Sequence, residues 1–170
     1  MTKSKDISNQ YERIDSDRAY TYFEVINDIE PESVLDIGMV LKRAGTVSRN
    51  IQGKEIDGRI RLDGVDFLPD VDAGVYSAIY NHIYAFYEFL TSIKTPDSFE
   101  KYDLIVAYDL ADFLSTSGIG LGENIVNFFR RRSSYMLTDS DTFDLLKSLL
   151  AGCQCRIVKA GKEVSYLTLF

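Results

Sequence analysis

Three carboxylates stand where a chain can present them to a ligand: Asp36, Asp66 and Asp109, each closing a stretch that reads as strand. Asp36 lies in Ser33-Val-Leu-Asp-Ile-Gly-Met-Val-Leu-Lys-Arg-Ala-Gly45. Val34, Leu35 and Ile37 have buried-strand character, Asp36 and Gly38 end the run, and a helical pattern opens near Val40. That strand–glycine–helix order lets a nucleotide-like ligand approach backbone N–H groups at a helix start. A carboxylate at a strand's carboxyl edge either faces such a crevice or hydrogen-bonds the loop that follows. Asp66 carries the same pair of readings, ligand contact or the start of an acidic loop with Asp70 and Asp72. The loop lacks the glycine and terminal glutamate of a calcium loop, so solvated turn carboxylates are the simpler reading. His82, the only imidazole, is a general base or a packed residue; no acid partner is visible in sequence. Cys153 and Cys155 are read at the start of a strand, on one face, an awkward placement for a mutual disulfide. Zinc wants four ligands, so packed, reduced thiols are expected and no metal site. No Ser/His/Asp or Cys/His arrangement, P-loop lysine or paired catalytic carboxylate is present.

The elements that must position these groups alternate. Ala19, Tyr22, Phe23 and Ile26 recur at helical spacing within 16–29, and Pro31 ends that helix. Strands are expected at Val34–Gly38 and Ile60–Asp66, with a helix over Leu41–Ile51 between them. Between Asp72 and Ile93, Tyr76, Tyr80, Tyr84 and Tyr87 repeat every three or four residues. A helix through about Asn81 followed by a strand from Ile83 to Leu90 reconciles that spacing with the aromatic content. The tyrosine stripe suits core, a subunit interface or an aromatic ligand. Tyr102–Asp109 has the continuous apolar middle of a parallel strand covered on both faces. Gly118, Gly120 and Gly122 then loosen the connection to a helix over Glu123–Arg132. Its final Arg130-Arg-Arg132 either complements the negative end of the helix dipole or contacts nucleic acid. A strand at Ser134–Thr138, a capped helix at Asp139–Ala151, and strands at Cys153–Lys159 and Glu163–Phe170 complete the chain. The last two are so closely linked that they must form an antiparallel hairpin.

The whole is therefore expected as α/β, a Rossmann-like mostly parallel sheet with flanking helices and a C-terminal antiparallel hairpin. Residues 1–15 are expected as a flexible polar segment, with one domain over 16–170. Across 170 residues the net charge is −7, which disfavours nucleic acid and anionic membrane as partners. Apolar runs fall short of the ~20 residues of a membrane span, and the charged N-terminus has no apolar region behind it. With two unpaired thiols expected, the cytoplasm is the compartment the composition favours.

Order and local motifs together resemble the class I S-adenosylmethionine-dependent methyltransferase family over roughly residues 16–170. Val34-Leu-Asp-Ile-Gly38 resembles the first half of its glycine loop, Gly64-Val-Asp66 the acid at the tip of its second strand, and Phe99–Asp109 its fourth strand. The resemblance implies a methyltransferase acting on a small-molecule or protein acceptor, with S-adenosylmethionine as cofactor. It implies a cofactor site of Asp36, Gly38, Met39, Asp66, Tyr108 and Asp109. Asp36 and Gly38 would hold the methionine end, Asp66 the ribose, and Tyr108 and Asp109 the floor near the transferred methyl. Glu88 or Tyr87 would lie beside the adenine if the third strand reaches them. The glycine loop is degenerate: Val40 and Lys42 stand where further glycines are expected. A β-branched side chain there occupies ligand space, and Lys42 with Arg43 adds positive charge facing a cationic cofactor. The alternative implied is a non-catalytic methyltransferase-like binding or assembly module, as monomer or homo-oligomer, that has lost the cofactor. An NAD-dependent oxidoreductase fits less well, because G-x-G-x-x-G is absent.

Overall fold

The computed structural model of the chain describes residues 17–18, 20–38, 59–66, 80–117, 122–160 and 165–170. The expected N-terminal segment, Met39, Val40, Lys42, the helix over Leu41–Ile51, and Tyr76 lie outside those residues.

Helix α1 covers residues 20–29, with 17 and 18 also helical. It is followed by β1 (Ser33–Ile37), β2 (Arg61–Asp66), β3 (His82–Ala85), α2 (Phe86–Lys94), β4 (Tyr102–Ala107) and α3 (Leu110–Ser117). Then come α4 (Gly122–Arg132), β5 (Ser133–Asp139), α5 (Ser140–Leu150), β6 (Arg156–Ala160) and β7 (Ser165–Leu169). One seven-stranded sheet runs in the order β3-β2-β1-β4-β5-β7-β6. Strands β3, β2, β1, β4 and β5 are mutually parallel, and β7 is antiparallel to both neighbours. The mostly parallel sheet and closing hairpin expected from sequence are thus present, with β7 inserted between β5 and β6.

Residues on successive sides of the central strands are apolar because helices cover both faces. On one face Val34, Leu62, Leu104, Val106 and Leu137 pack with Tyr22, Val25 and Ile26 of α1. On the other, Leu35, Ile37, Ile105 and Met136 pack with Phe89, Ile125, Phe128, Phe129 and Leu146 from α2, α4 and α5. Full burial of each such side chain contributes about 1.5–3 kcal/mol. The sheet's centre therefore carries the stability, and its ends are left to carry polar groups.

Three local expectations are corrected. The strand placed over Ile83–Leu90 stops at Ala85, and Phe86–Lys94 is helix α2. Phe86, Phe89, Leu90 and Ile93 have helical spacing toward the core, and the Glu88 carboxylate accepts from the Ala85 N–H at 3.0 Å to start the helix. Tyr80 and Asn81 are not helical; they lead into β3, and the Asn81 side chain accepts from Leu62 N. Helix α3 is an element to which no expectation was attached, and Leu110 and Leu114 are buried one turn apart on it. Last, β6 begins only at Arg156, so Cys153 and Cys155 lie in the turn after α5, as free thiols donating to Leu149 O and Leu150 O.

Candidate functional site

In open α/β sheets ligands gather at the carboxyl ends of the parallel strands, where the strand order reverses. Here β1 leads out to β2 on one side and β4 lies on the other, so that reversal falls at the end of β1. Parallel pairing sets Asp36 opposite Gly64 and Ile37 opposite Val65. Asp66 consequently ends β2 one step beyond, on the same edge of the sheet as Asp36. Alternation puts both carboxylates on the α1 face, in line with Val34 and Leu62. The sheet thus brings Asp36, Gly38 and Asp66 together, although 30 positions of sequence separate the two acids.

Both acids are buried, Asp36 fully and Asp66 to within 5%. A carboxylate taken out of water needs donors. Tyr80 supplies one, its hydroxyl donating to Asp36 Oδ2 at 2.6 Å. Gly38 leaves the strand at φ 85°, where a Cβ would be strained, and its N–H donates to Val65 O at 2.7 Å. Glycine is needed for the turn itself; its own amide is spent on the neighbouring strand. Met39, the other expected residue of this loop, lies outside the described residues.

The β4–β5 half of the edge is built differently. Tyr108 is 1% exposed, and its hydroxyl shares a hydrogen bond of 2.9 Å with Ser165 Oγ of β7. Burial pushes the Tyr108 phenol well above the usual tyrosine range, against the opposing pull of Ser165 and Arg18, so it is neutral at pH 7. Asp109 turns the chain at φ 57°, a region that aspartate tolerates better than most residues. Its carboxylate is clasped by Arg18 in a two-pronged pair, Nη1 to Oδ2 at 2.7 Å and Nη2 to Oδ1 at 2.8 Å. Arg18 also reaches Asp139 Oδ2 at 3.3 Å and lies 5.1 Å from the Tyr108 ring centroid. Burial works against the Arg18 charge, but Asp109 and Asp139 more than offset it and raise its pKa. Asp139 serves three donors: Asp109 N at 2.7 Å, Thr142 N at the start of α5 at 2.8 Å, and Arg18.

Of the residues expected at the site, Asp36, Gly38 and Asp66 form one cluster, and Tyr108 and Asp109 form a second beneath Arg18. Glu88 faces the Ala85 amide and Tyr87 is 78% exposed on α2, because β3 ends before either. Sequence reasoning missed Arg18, Tyr80 and Ser165 as parts of this edge and saw Asp139 only as a helix cap. Arg18 sits in a polar stretch 91 positions from Asp109, and nothing local marks it. Tyr80 had a signal, as a tyrosine just ahead of the edge strand β3, two strands from the Asp36 strand, but the spacing of the tyrosine stripe favours a helix.

Solved structures provide an independent comparison. The chain superposes on the 16S rRNA methylase RmtB with a TM-score of 0.58 at 15% identity, covering 95% of this chain and 65% of that one. It matches an rRNA methylase from Escherichia coli at 0.54 and 16%, covering 96% of this chain and 66% of that one. The methyltransferase domain of bacterial CtHen1-CN matches at 0.55 and 11%, covering 91% and 97%. The chain has the class I methyltransferase fold. It spans about two thirds of the length of the two rRNA methylases and nearly all of the CtHen1 domain. No protein-family model and no curated protein matches the sequence. Within the class I methyltransferase fold the end of β1 is the switch point, and the Asp36–Gly38–Asp66 cluster lies there. Among the described residues, no helix is long and apolar enough to cross a membrane.

Proposed function

We propose that the chain binds S-adenosylmethionine at the carboxyl ends of β1 and β2 and transfers its methyl group to a small-molecule or protein acceptor. The juxtaposition of Asp36 and Asp66 around the Gly38 turn carries this reading. The donor chemistry fits: the cofactor offers an ammonium group and two ribose hydroxyls, all hydrogen-bond donors, and the cluster offers two carboxylates. Asp36, fixed by Tyr80, would hold the ammonium, and Asp66 would accept from the ribose hydroxyls. Bound there, the cofactor supplies a methyl group already activated by a sulfonium. The chain then has little acid–base work to do; its residues position the reactants. Tyr108 stays protonated and rigid beneath the site, and Arg18 fixes the Asp109 turn that follows β4.

A second reading has a specific observation in its favour. Arg18 consumes both carboxylates of the β4–β5 half in one network, which ties α1 across the edge where an acceptor would enter. That closure suits a binding or assembly module with this fold and no cofactor. Calorimetric titration separates the two readings. The enzyme reading expects S-adenosylmethionine and S-adenosylhomocysteine to bind, with affinity lost by at least tenfold in Asp36→Asn and Asp66→Asn. Absence of heat at millimolar ligand in the folded protein selects the module.

A further inference from the structure

The opposite, amino edge of the sheet holds a feature the proposed reaction does not use. Tyr102 opens β4 and pairs with Ser133, which opens β5. Around them lies a cavity of about 340 Å³, near the lower end of small-ligand pockets. Strands of this length separate it by roughly 17 Å from the Asp36–Asp66 edge. Four cations line it, Lys101, Arg130, Arg131 and Arg132, on a chain whose net charge is −7.

The pairing of these cations is uneven. Asp97 receives Arg132 Nη2 at 2.7 Å and Arg131 Nη1 at 3.5 Å. Arg132 Nη1 donates to Phe99 O at 2.9 Å, but its buried Nε–H has no acceptor. Buried N–H groups are ordinarily paired, so an acceptor brought by a ligand suits this wall. Arg130 touches only Asn127, at 3.4 Å, and neither it nor Lys101 has an ion-pair partner among the described residues. The one acidic side chain in the lining, Asp103, already accepts from Glu32 N, Ser33 N and Ser33 Oγ. Cations in the last turn also offset the negative end of α4, a partial charge of about half a unit. That accounts for less than one of the four.

We propose that this cavity binds the phosphate of a small phosphomonoester. Guanidinium forks and an ammonium match a tetrahedral dianion with several acceptor oxygens better than a singly charged carboxylate. Phe170, whose N–H is fixed on Ser134 O, gives the remainder of the ligand an aromatic wall. The pocket's size and the acidity of the whole chain favour a small ligand over a nucleic acid strand.

The test is titration of the full chain with phenyl phosphate, benzoate and a single-stranded oligouridylate, followed by amide NMR. Phenyl phosphate is expected to bind, shifting Ser133, Ser134 and Phe170 and leaving Asp36 and Asp66 unmoved. The Lys101→Gln/Arg130→Gln double variant, whose two side chains are exposed, should fold normally and bind at least tenfold more weakly. Benzoate should bind more weakly than phenyl phosphate. No binding at about 10 mM, the affinity range of a single weak contact, would overturn the proposal. So would unchanged affinity in the double variant, equal affinity for benzoate, or binding of the oligouridylate alone.

Discussion

At the end of β1 a buried carboxylate is met by a neutral phenol, Tyr80 on Asp36. At the ends of β4 and β5 two carboxylates are met by one guanidinium, Arg18 on Asp109 and Asp139. Both arrangements satisfy acids taken from water, yet they leave different fields behind. A phenol satisfies one carboxylate oxygen by a neutral hydrogen bond and brings no charge of its own. One guanidinium offsets one of the two carboxylate charges and, lying in the helical stretch ahead of α1, also fastens that end of the chain to the far half of the sheet. The same edge thus carries one half held by a phenol and one half held by a guanidinium.

The largest expected effect breaks the half held by the guanidinium. Arg18→Ala leaves Asp109 and Asp139 side by side, with side chains only 30% and 11% exposed. Removing one partner from such a network should cost about 2–3 kcal/mol, less than a fully buried pair because water reaches Asp109. Urea unfolding at pH 7 measures it, and a loss below about 0.5 kcal/mol would place the network within the range of ordinary exposed pairs and contradict a structural role.

At the end of β1, Tyr80→Phe removes a donor to Asp36 and should cost about 1–2 kcal/mol in the same assay. If S-adenosylmethionine binds as proposed, that variant should also bind it more weakly, because the carboxylate is no longer oriented. Arg18→Ala should leave cofactor affinity nearly unchanged. Equal losses of affinity in both variants would erase the distinction between the halves.

The smallest effect concerns alkaline pH. Tyr108 keeps its proton in the fold well above the value of about 10 at which an unfolded tyrosine ionises. Its stabilising share is therefore complete below pH 10 and is lost as pH rises beyond, because the unfolded chain releases the proton first. The slope is at most about 1.4 kcal/mol per pH unit for that residue. Unfolding curves between pH 9 and 11 should show a shallower decline in Tyr108→Phe, and parallel declines would contradict the assignment.

What could be read in the sequence followed from how locally each feature is determined. Val34–Gly38 and Tyr102–Ala107 declared themselves because a strand covered on both faces must be apolar on both sides. Too few residues join β6 to β7 to cross the sheet, which forced the hairpin. Asp36 and Asp66 were visible as strand-end acids, and parallel pairing alone makes them neighbours. Phe86–Lys94 misled because aromatic residues suit strands, while the deciding signal was the reach of Glu88 back to the Ala85 amide. Leu110–Ser117 was hidden by the glycines after it. Arg18 and Tyr80 act across 91 and 44 positions, through contacts that only the assembled sheet creates.

Cofactor binding at the β1–β2 edge, as proposed, is tested most directly by amide NMR during titration with S-adenosylhomocysteine. Saturable shifts at Asp36, Ile37, Gly38 and Asp66, larger than any at Asp139 or Ser165, are the predicted result. Shifts centred on Asp139 and Ser165, or none anywhere at millimolar ligand, would contradict it.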